Sequence, residues 1–295
     1  MPQLTVRPRC LDEPPASSAQ PDVPERFDTW ESYFYPETYN PQFGNGTLRN
    51  KFDERDFFEL KDREYGRTAR RGAELEAGMV DIPKTFDAEH LMAIHRHLFQ
   101  DVYEWAGEYR TVNMSKGPGR EFGRVNDGEV DRYLSEVRQI ATSTDWVSIS
   151  RNDFIATSAT VFAYVNQAHP FREGNGRTSK QFMHDLAEGS PFRFEFDRVT
   201  PEQWNQASAM SRPDLDKSAP DPTSLVPIFH AISVEKPAPA ADPLADVRAV
   251  ISASYQRPPK EATRGAGQSG QQPPQARRSG PGYMSDRFPT GGLEK

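Results

Sequence analysis

The chain has 295 residues, a formal net charge of −7 and one cysteine, Cys10. The negative charge argues against a general nucleic-acid-binding protein, and one cysteine excludes an intrachain disulfide or a thiolate zinc cluster. The sequence shows no basic start followed by an apolar run and no apolar stretch of roughly 18 residues, so we expect neither a signal peptide nor a membrane helix. A reduced, cytoplasmic setting fits these features best.

Proline and glycine are concentrated toward the two ends of the chain. Hydrophobic residues make up only 35% of it, which indicates that the folded part is shorter than the whole. We predict a disordered N-terminal tail over residues 1–24 and a low-complexity, mostly disordered C-terminal tail over 236–295, with a possible short helix at 244–255. The folded catalytic domain is then expected over residues 25–235.

The predicted elements are mostly helices. Residues 30–48 come first, and their aromatic side chains are interrupted by proline and glycine. This pattern favours a loop laid over the core with its aromatics inward, with a base-stacking surface as the alternative. Apolar periodicity and capping residues then predict helices. They cover 53–77, 87–99, 127–142, the stretch after Ser150 up to Gln167, 177–188, a helix beginning at Pro201, and 222–234.

Two other features lie beside these helices. Residues 111–123 predict a β-hairpin, because β-prone pieces flank a turn over 116–120. A hairpin in a helical chain must rest on the core or present an edge to another molecule. His90 and His97 share a face of the second helix with only Glu89 nearby. Packed or solvent-facing histidines are therefore a better interpretation than a metal site.

Residues 166–177, NQAHPFREGNGR, contain the strongest functional pattern. Gly174 and Gly176 predict a turn that opens onto a helix and presents backbone N–H groups to one point. Such a turn binds anions, because side chains are absent and the first N–H groups of a helix lack partners. Asn175 adds a neutral donor. Arg177, at the first predicted helical position, offers a forked pair of donors to a phosphate.

The neighbours of this cradle indicate phosphate chemistry. Lys180 adds a charge one turn later, on the face predicted for Arg177. Glu173 would repel phosphates unless a Mg²⁺ ion lay between them. His169 can take a proton from an incoming hydroxyl. Together these residues predict transfer of a phosphate-containing group to an alcohol, with an ordinary interhelical turn as the alternative.

Residues 169–177, HPFREGNGR, resemble the signature of Fic-domain proteins, His-x-Phe-x-Asp/Glu-Gly-Asn-Gly-Arg-x-x-Arg. The resemblance extends over about residues 30–235 and implies an all-α Fic-type helical domain with a β-hairpin flap over the active site. Most members of this family transfer AMP from ATP to a Ser, Thr or Tyr hydroxyl of a target protein. Further similarities lie at Tyr35-Pro36, residues 48–51 and residues 105–110.

The resemblance assigns roles to individual residues. His169 would be the general base, Phe171 would anchor the loop in the core, and Glu173 would bind Mg²⁺ between the α- and β-phosphates. The flap near 112–122 would clamp the target by strand-like pairing. The nucleotide-binding residues would be Gly174, Asn175, Gly176, Arg177 on the β-phosphate side, and Lys180, with Lys116 and Gly117 of the flap close to nucleotide or target.

One departure from the family concerns regulation. Lys180 replaces the final Arg of the signature, which in the family meets the γ-phosphate and the glutamate of an inhibitory helix, Ser/Thr-x-x-x-Glu-Gly/Asn. The closest match here, residues 85–90, has the wrong final residue. The chain thus resembles toxins that a separate small antitoxin silences. The targets of such toxins include DNA gyrase and topoisomerase IV subunits. Secretion as an effector is an open alternative to the cytoplasm.

Two other functions stay open at this stage. In the first, the chain is an enzyme that transfers a different phosphate-containing group, such as another nucleotide, phosphocholine or a γ-phosphate as in Doc-like kinases. The intact cradle favours AMP over the kinase reaction. Alternatively, the chain would be a non-enzymatic, nucleotide-binding interaction module.

Overall fold

The computed structural model describes residues 27–115, 121–214 and 217–237. The described residues up to Lys236 belong to one compact unit. The tail predicted over 1–24, the helix predicted at 244–255 and nearly all of the tail predicted over 236–295 lie outside the described residues.

The described part is mostly helical, which confirms the predicted fold class. Four of the described α-helices start at a polar residue whose side chain accepts a hydrogen bond from the first turn, as capping requires: Asp56, Asp87, Ser150 and Thr200. The elements are α1 (Phe57–Glu76), α2 (Ala88–Phe99), α3 (Glu129–Ser143), α4 (Arg151–Ala168), α5 (Asn175–Ala187), β1 (Phe192–Phe194), α6 (Pro201–Met210), α7 (Val226–Ile232) and β2 (Ser233–Glu235), with 3₁₀ turns at Glu31–Tyr33, Phe196–Arg198 and Pro222–Ser224.

The prediction of one helix over 222–234 was wrong at both ends. A 3₁₀ turn precedes α7, α7 ends at Ile232, and the next three residues form β2, which pairs antiparallel with β1. Alternate residues of β1, Phe192 and Phe194, are buried against Phe154 of α4. This pairing joins segments about 40 residues apart, so the local periodicity of the sequence does not reveal it.

Helix α4 lies at the centre of the core, as predicted. Most of its side chains are buried, among them Phe154, Ala159 and Phe162. Helices α3, α5 and α7 pack against it. It therefore delivers its C-terminal end, and the loop that follows, from a rigid element.

The N-terminal aromatic segment covers the core in the predicted way. Tyr33 and Phe34 are buried, whereas Phe43 is 70% exposed. The Trp30 ring lies under the guanidinium of Arg172, with 3.8 Å from the ring centroid to Cζ. The segment thus contacts the loop that contains the motif. Its buried aromatic side chains pack against the protein itself.

The predicted hairpin is seen at its base. Ser115 and Glu121 form an antiparallel bridge, and the tip, residues 116–120, lies outside the described residues. The hairpin rests on the end of α4, because Gly123 N–H donates to the Gln167 carbonyl (2.8 Å) and the Gln167 side chain donates to the Glu121 carbonyl (3.1 Å).

Within the described ranges, no helix is long and apolar enough to cross a membrane. In the same residues, no group of three His, Cys, Asp or Glu side chains converges. His90 and His97 face different helices, since His90 is 3.0 Å from Asp185 and His97 is 3.3 Å from Glu74.

Candidate active site

His169 is the cap residue that directly follows α4. Its backbone is left-handed, with φ 41° and ψ 55°, and its N–H donates to the Val165 carbonyl at 3.2 Å. Pro170 follows and disfavours a helical conformation at residue 169. A non-glycine residue in this region is strained by about 1–2 kcal/mol, so surrounding contacts must hold His169 in place.

Arg110 supplies several of those contacts. This fully buried residue donates from its side chain to the carbonyls of His169, Val112 and Gly123, and its own N–H donates to Pro170. Burial lowers the pKa of Arg110 to about 10. One guanidinium thus joins the end of α4 to both arms of the hairpin.

The His169 ring is further positioned by a stack of side chains. Phe122 of the hairpin lies parallel to it, with 3.7 Å between ring centroids and an interplanar angle of 11°. The guanidinium of Arg212 lies 4.2 Å from the centroid of the same phenyl ring. Since Phe122 is only 3% exposed, the imidazole is held on one face by a buried ring.

The anion cradle begins at Gly174, the residue that caps α5. Its φ of +83° favours glycine, and a Cβ there would overlap the ring of Phe99. Helix α5 starts at Asn175, so the prediction that Arg177 is the first helical residue was wrong by two positions. The first intrahelical bond runs from Thr178 N–H to the Gly174 carbonyl, and the N–H groups before it lie at the helix N terminus.

The side chain of Asn175 was predicted to donate to a phosphate, but in the structure it has a different role. Its amide accepts from Phe171 N–H at 3.0 Å and donates to the Phe171 carbonyl at 2.7 Å, which closes the loop. Phe171 is fully buried, as expected for an anchor. What Asn175 offers to an anion is therefore chiefly its backbone N–H.

His95 supports the loop from below. Its ring stacks on Phe171 with a centroid distance of 3.8 Å. Because its Nδ1 accepts from Gly107 N–H at 2.8 Å, its Nε2 carries the proton and donates to the Glu173 carbonyl at 3.1 Å. Burial lowers the pKa of His95 to about 3, so the ring is neutral.

Arg177 turns toward α1. Its Nη1 donates to Thr68 Oγ1 at 3.0 Å, and its Nη2 forms an ion pair with Glu64. The guanidinium carbon lies 4.8 Å from the Tyr65 ring centroid and 4.7 Å from that of Phe99. Arg177 is thus fixed at the edge of the cradle by residues outside the motif.

Glu173 stands in front of the cradle. Its Oε1 accepts from Gly174 N–H at 3.0 Å and lies 3.7 Å from Arg177 Nη2. The side chain is 46% exposed, so an ion can reach it from solvent. Mg²⁺ is commonly held by one or two carboxylates together with waters and substrate phosphates, and a single accessible carboxylate beside an anion cradle fits that donor set.

Lys180 lies one turn after Arg177 on α5, but its side chain has different neighbours. Its Nζ lies 5.1 Å from the Phe196 ring centroid and 5.2 Å from that of Trp204. Burial lowers the pKa of Lys180. The two cations therefore have different neighbours. Lys116 and Gly117 lie outside the described residues.

A cavity of about 370 Å³ opens between the cradle and α6. His169, Asn175 and Gly176 line one side of it, and its volume is within the range of small-molecule sites. The lining from α6 and the residues after it consists of Trp204, Asn205, Ser208, Ala209 and Arg212.

The sequence prediction missed the contributions of α1 and α6. Glu64 and Thr68 are spaced i, i+4 on α1, and Trp204, Asn205 and Ser208 share a face of α6. That polar spacing was visible in the sequence, but nothing in it identified which face would meet the motif. Phe122 lay within the predicted flap without an assigned contact.

The fold and site define a helical domain in which a histidine follows the central helix α4 and an anion cradle lies at the N terminus of the next helix, α5. Residues 85–187 match the model of the Fic/DOC family, which is the family that the motif predicted.

Curated relatives and a solved structure agree with this family. Over 137 residues the chain is 34% identical to protein adenylyltransferase VbhT of Bartonella schoenbuchensis, a match covering 46% of this chain and 28% of that protein. Over 180 residues it is 28% identical to the "Probable protein adenylyltransferase Fic" of Escherichia coli K12, covering 60% and 82%. The N-terminal Fic domain of a VirB-translocated Bep effector from Bartonella quintana, crystallised with ADP, superposes with a TM-score of 0.60 at 28% identity, covering 70% and 96%.

Proposed function

We propose that this chain transfers AMP from ATP to a Ser, Thr or Tyr hydroxyl of a target protein. The observation that carries the proposal is that His169 and the cradle residue Gly176 line the same cavity. The relatives named protein adenylyltransferase and the ADP-bound Fic domain support the same class of reaction.

The nucleotide is expected to lie across the N terminus of α5. Its phosphates would face the backbone N–H groups of residues 175–177, where the helix dipole favours negative charge. Arg177 would contact the β-phosphate side. The base would occupy the cavity beside Trp204, whose ring provides an apolar wall.

Glu173 would hold Mg²⁺, which would neutralise negative charge on the phosphates of the nucleotide. The backbone bond from Gly174 to Oε1 fixes this carboxylate at the mouth of the cradle.

His169 would act as general base. Its imidazole takes the proton of the target hydroxyl, the hydroxyl oxygen forms a bond to the α-phosphorus, and the bond from that phosphorus to the bridging oxygen of the β-phosphate breaks. The products are AMP-modified protein and pyrophosphate, with the proton on His169. The stack on Phe122 and the Arg110 bond to the His169 carbonyl hold the ring for this step.

The target segment is expected to reach His169 along the hairpin. Backbone pairing to an edge strand gives affinity without demanding a particular side chain. The bridge between Ser115 and Glu121 joins the two arms of that hairpin. The Gln167 side chain of α4 donates to the Glu121 carbonyl, so the hairpin rests on the end of α4, next to His169.

The decisive experiment incubates the protein with Mg²⁺, ATP labelled at the α-phosphate, and a lysate. Labelled protein bands are expected, and His169→Ala should abolish them while ADP binding changes little. His230→Ala, at an exposed histidine of α7, is the matched control and should label normally. Normal ADP binding with no labelled protein would refute AMP transfer.

The same assay separates the alternative functions. Label from the γ-phosphate but not the α-phosphate would indicate a kinase reaction, and transfer from other nucleotides or from a phosphocholine donor would indicate another group. Nucleotide binding without any modification would favour an interaction module. We favour AMP transfer because the Gly-Asn-Gly cradle is intact.

A toxin or effector role restrained by an antitoxin is part of the proposal. The approximate inhibitory pattern at residues 85–90 falls at the start of α2, and we therefore infer that the inhibitory helix would come from a separate small protein. Incubation with purified DNA gyrase and topoisomerase IV subunits tests the expected cytoplasmic targets. A neighbouring reading frame encoding Ser/Thr-x-x-x-Glu-Gly/Asn would support inhibition in trans. Secretion, as in the Bartonella quintana effector, is the alternative setting.

A further inference from the structure

The carboxylate of Glu64 lies in the interior of the unit, against Arg177. Glu64 belongs to α1, before residue 85 where the family match begins, and is only 6% exposed. Arg177 and the Tyr103 hydroxyl both donate hydrogen bonds to it. A buried carboxylate is costly unless donors surround it. The proposed reaction uses this carboxylate neither as a base nor as a metal ligand, so its presence beside a phosphate-binding arginine requires another reason.

Glu64 and Thr68 form a two-point support for the Arg177 side chain. They are i, i+4 neighbours on one face of α1, and each accepts from a different terminal nitrogen of the guanidinium. The Tyr65 and Phe99 rings lie against the same group. A guanidinium has five N–H donors, and these two hydrogen bonds use two of them. The side chain is therefore oriented before any anion arrives.

Arg177 also has an alternative partner close by. Glu173, two residues before α5, already forms a long ion pair with this side chain, since its Oε1 lies 3.7 Å from the nitrogen that binds Glu64. Without Glu64, the nearest carboxylate for this cation would be Glu173. A closer pair there would occupy both the phosphate-binding arginine and the carboxylate that the proposed reaction assigns to Mg²⁺.

We propose that Glu64 is a positioning residue that keeps Arg177 from pairing closely with Glu173. The arginine then meets the phosphates of the nucleotide, and Glu173 stays available to the metal. This inference rests on the proposed function, because it requires a Mg²⁺–nucleotide complex in the cradle.

The test is calorimetric ADP binding at a series of Mg²⁺ concentrations, with folding of each variant checked by circular dichroism. Glu64→Ala should lower ADP affinity by about tenfold, the effect of losing one charge-assisted hydrogen bond, and should raise the Mg²⁺ concentration for half-maximal binding. Glu64→Gln should bind within about threefold of the wild type, since its amide oxygen still accepts from Arg177. A merely structural role would lower the folded fraction without moving the Mg²⁺ midpoint of the folded protein.

Thr68→Val covers the case in which Glu64→Ala fails to fold. It removes the second support and should weaken ADP binding by about threefold with the fold intact. Unchanged binding in Glu64→Ala, or in Thr68→Val if the first variant is unfolded, would overturn the inference. Tighter binding in Glu64→Gln would also overturn it, because Glu64 would then be a competitor of phosphate. If the wild type binds no ADP, the proposed function fails as well. If the wild type binds and the variants match it, only the role of Glu64 fails.

Discussion

The two glycines of the cradle should respond in opposite ways to the same substitution. Gly174 has φ +83°, and a Cβ there would overlap the Phe99 ring. Gly176 lies in the first turn of α5, and a Cβ there would meet no atom within 4 Å. Gly174→Ala therefore tests a requirement of the fold, and Gly176→Ala tests a requirement of the ligand.

The magnitudes follow from these surroundings. Gly174→Ala costs about 1–2 kcal/mol for the left-handed backbone and about 1–3 kcal/mol for overpacking against Phe99, which gives about 2–5 kcal/mol in the free energy of unfolding. Gly176→Ala should stabilise the helix by about 0.5–1 kcal/mol. Because its methyl group would project into the cavity that Gly176 lines, it should weaken ADP binding by about tenfold.

Urea unfolding followed by circular dichroism measures the first effect, and calorimetric ADP titration measures the second. The double variant Gly174→Ala/Phe99→Leu should recover the steric part, with a coupling free energy of about 1–3 kcal/mol. A Gly174→Ala protein within about 1 kcal/mol of the wild type would refute the steric reasoning. Unchanged ADP affinity in Gly176→Ala would refute the placement of phosphates at the start of α5.

Three further predictions concern the surroundings of the cradle. His95 is buried and has a pKa of about 3. As the pH falls below the ordinary histidine pKa of about 6.5, the unfolded state binds a proton that the folded state does not, so the free energy of unfolding should drop by about 2 kcal/mol between pH 7 and 5. Urea unfolding of His95→Gln should show a smaller drop. Phe122→Leu should lower kcat by about threefold to tenfold in the labelling assay through loss of ring stacking on His169, with ADP affinity unchanged. Lys180→Met should weaken ATP binding about fivefold in calorimetry and leave ADP binding unchanged, since only ATP carries the γ-phosphate expected one turn along α5.

Each of these has an outcome that contradicts it. An equal pH dependence in wild type and His95→Gln would show that other groups control acid unfolding. A fall in ADP affinity with unchanged kcat in Phe122→Leu would place the ring at the nucleotide and not at the base. Equal losses of ATP and ADP in Lys180→Met would place the ammonium on an inner phosphate.

The sequence predicted well what local patterns determine. Periodicity and caps located α2 and α4 to within about one residue, because Asp87 and Ser150 are caps in the structure. The turn at Gly174 followed from the motif, and the burial of Phe171 followed from the family resemblance. These features depend on residues a few positions apart, which a single sequence displays directly.

What the sequence did not reveal depends on contacts between distant segments. The pairing of Arg177 with Glu64 joins residues 113 positions apart, and neither side chain looks unusual on its own. The β1–β2 pair and the wall from α6 are likewise decided by packing. Lys180 and Arg177 are three residues apart, yet different neighbours determine where each cation lies.

The position of α1 has a practical consequence for dissecting the protein. Leu60 of α1 is buried in the main core. Glu64 of α1 accepts a hydrogen bond from the hydroxyl of Tyr103, which stacks on Phe99 inside the matched segment 85–187. A fragment trimmed to that segment would expose this aromatic surface and leave Arg177 without its acceptors. The segment that matches the family model is therefore shorter than the piece expected to fold and bind nucleotide, and deletion series should retain α1.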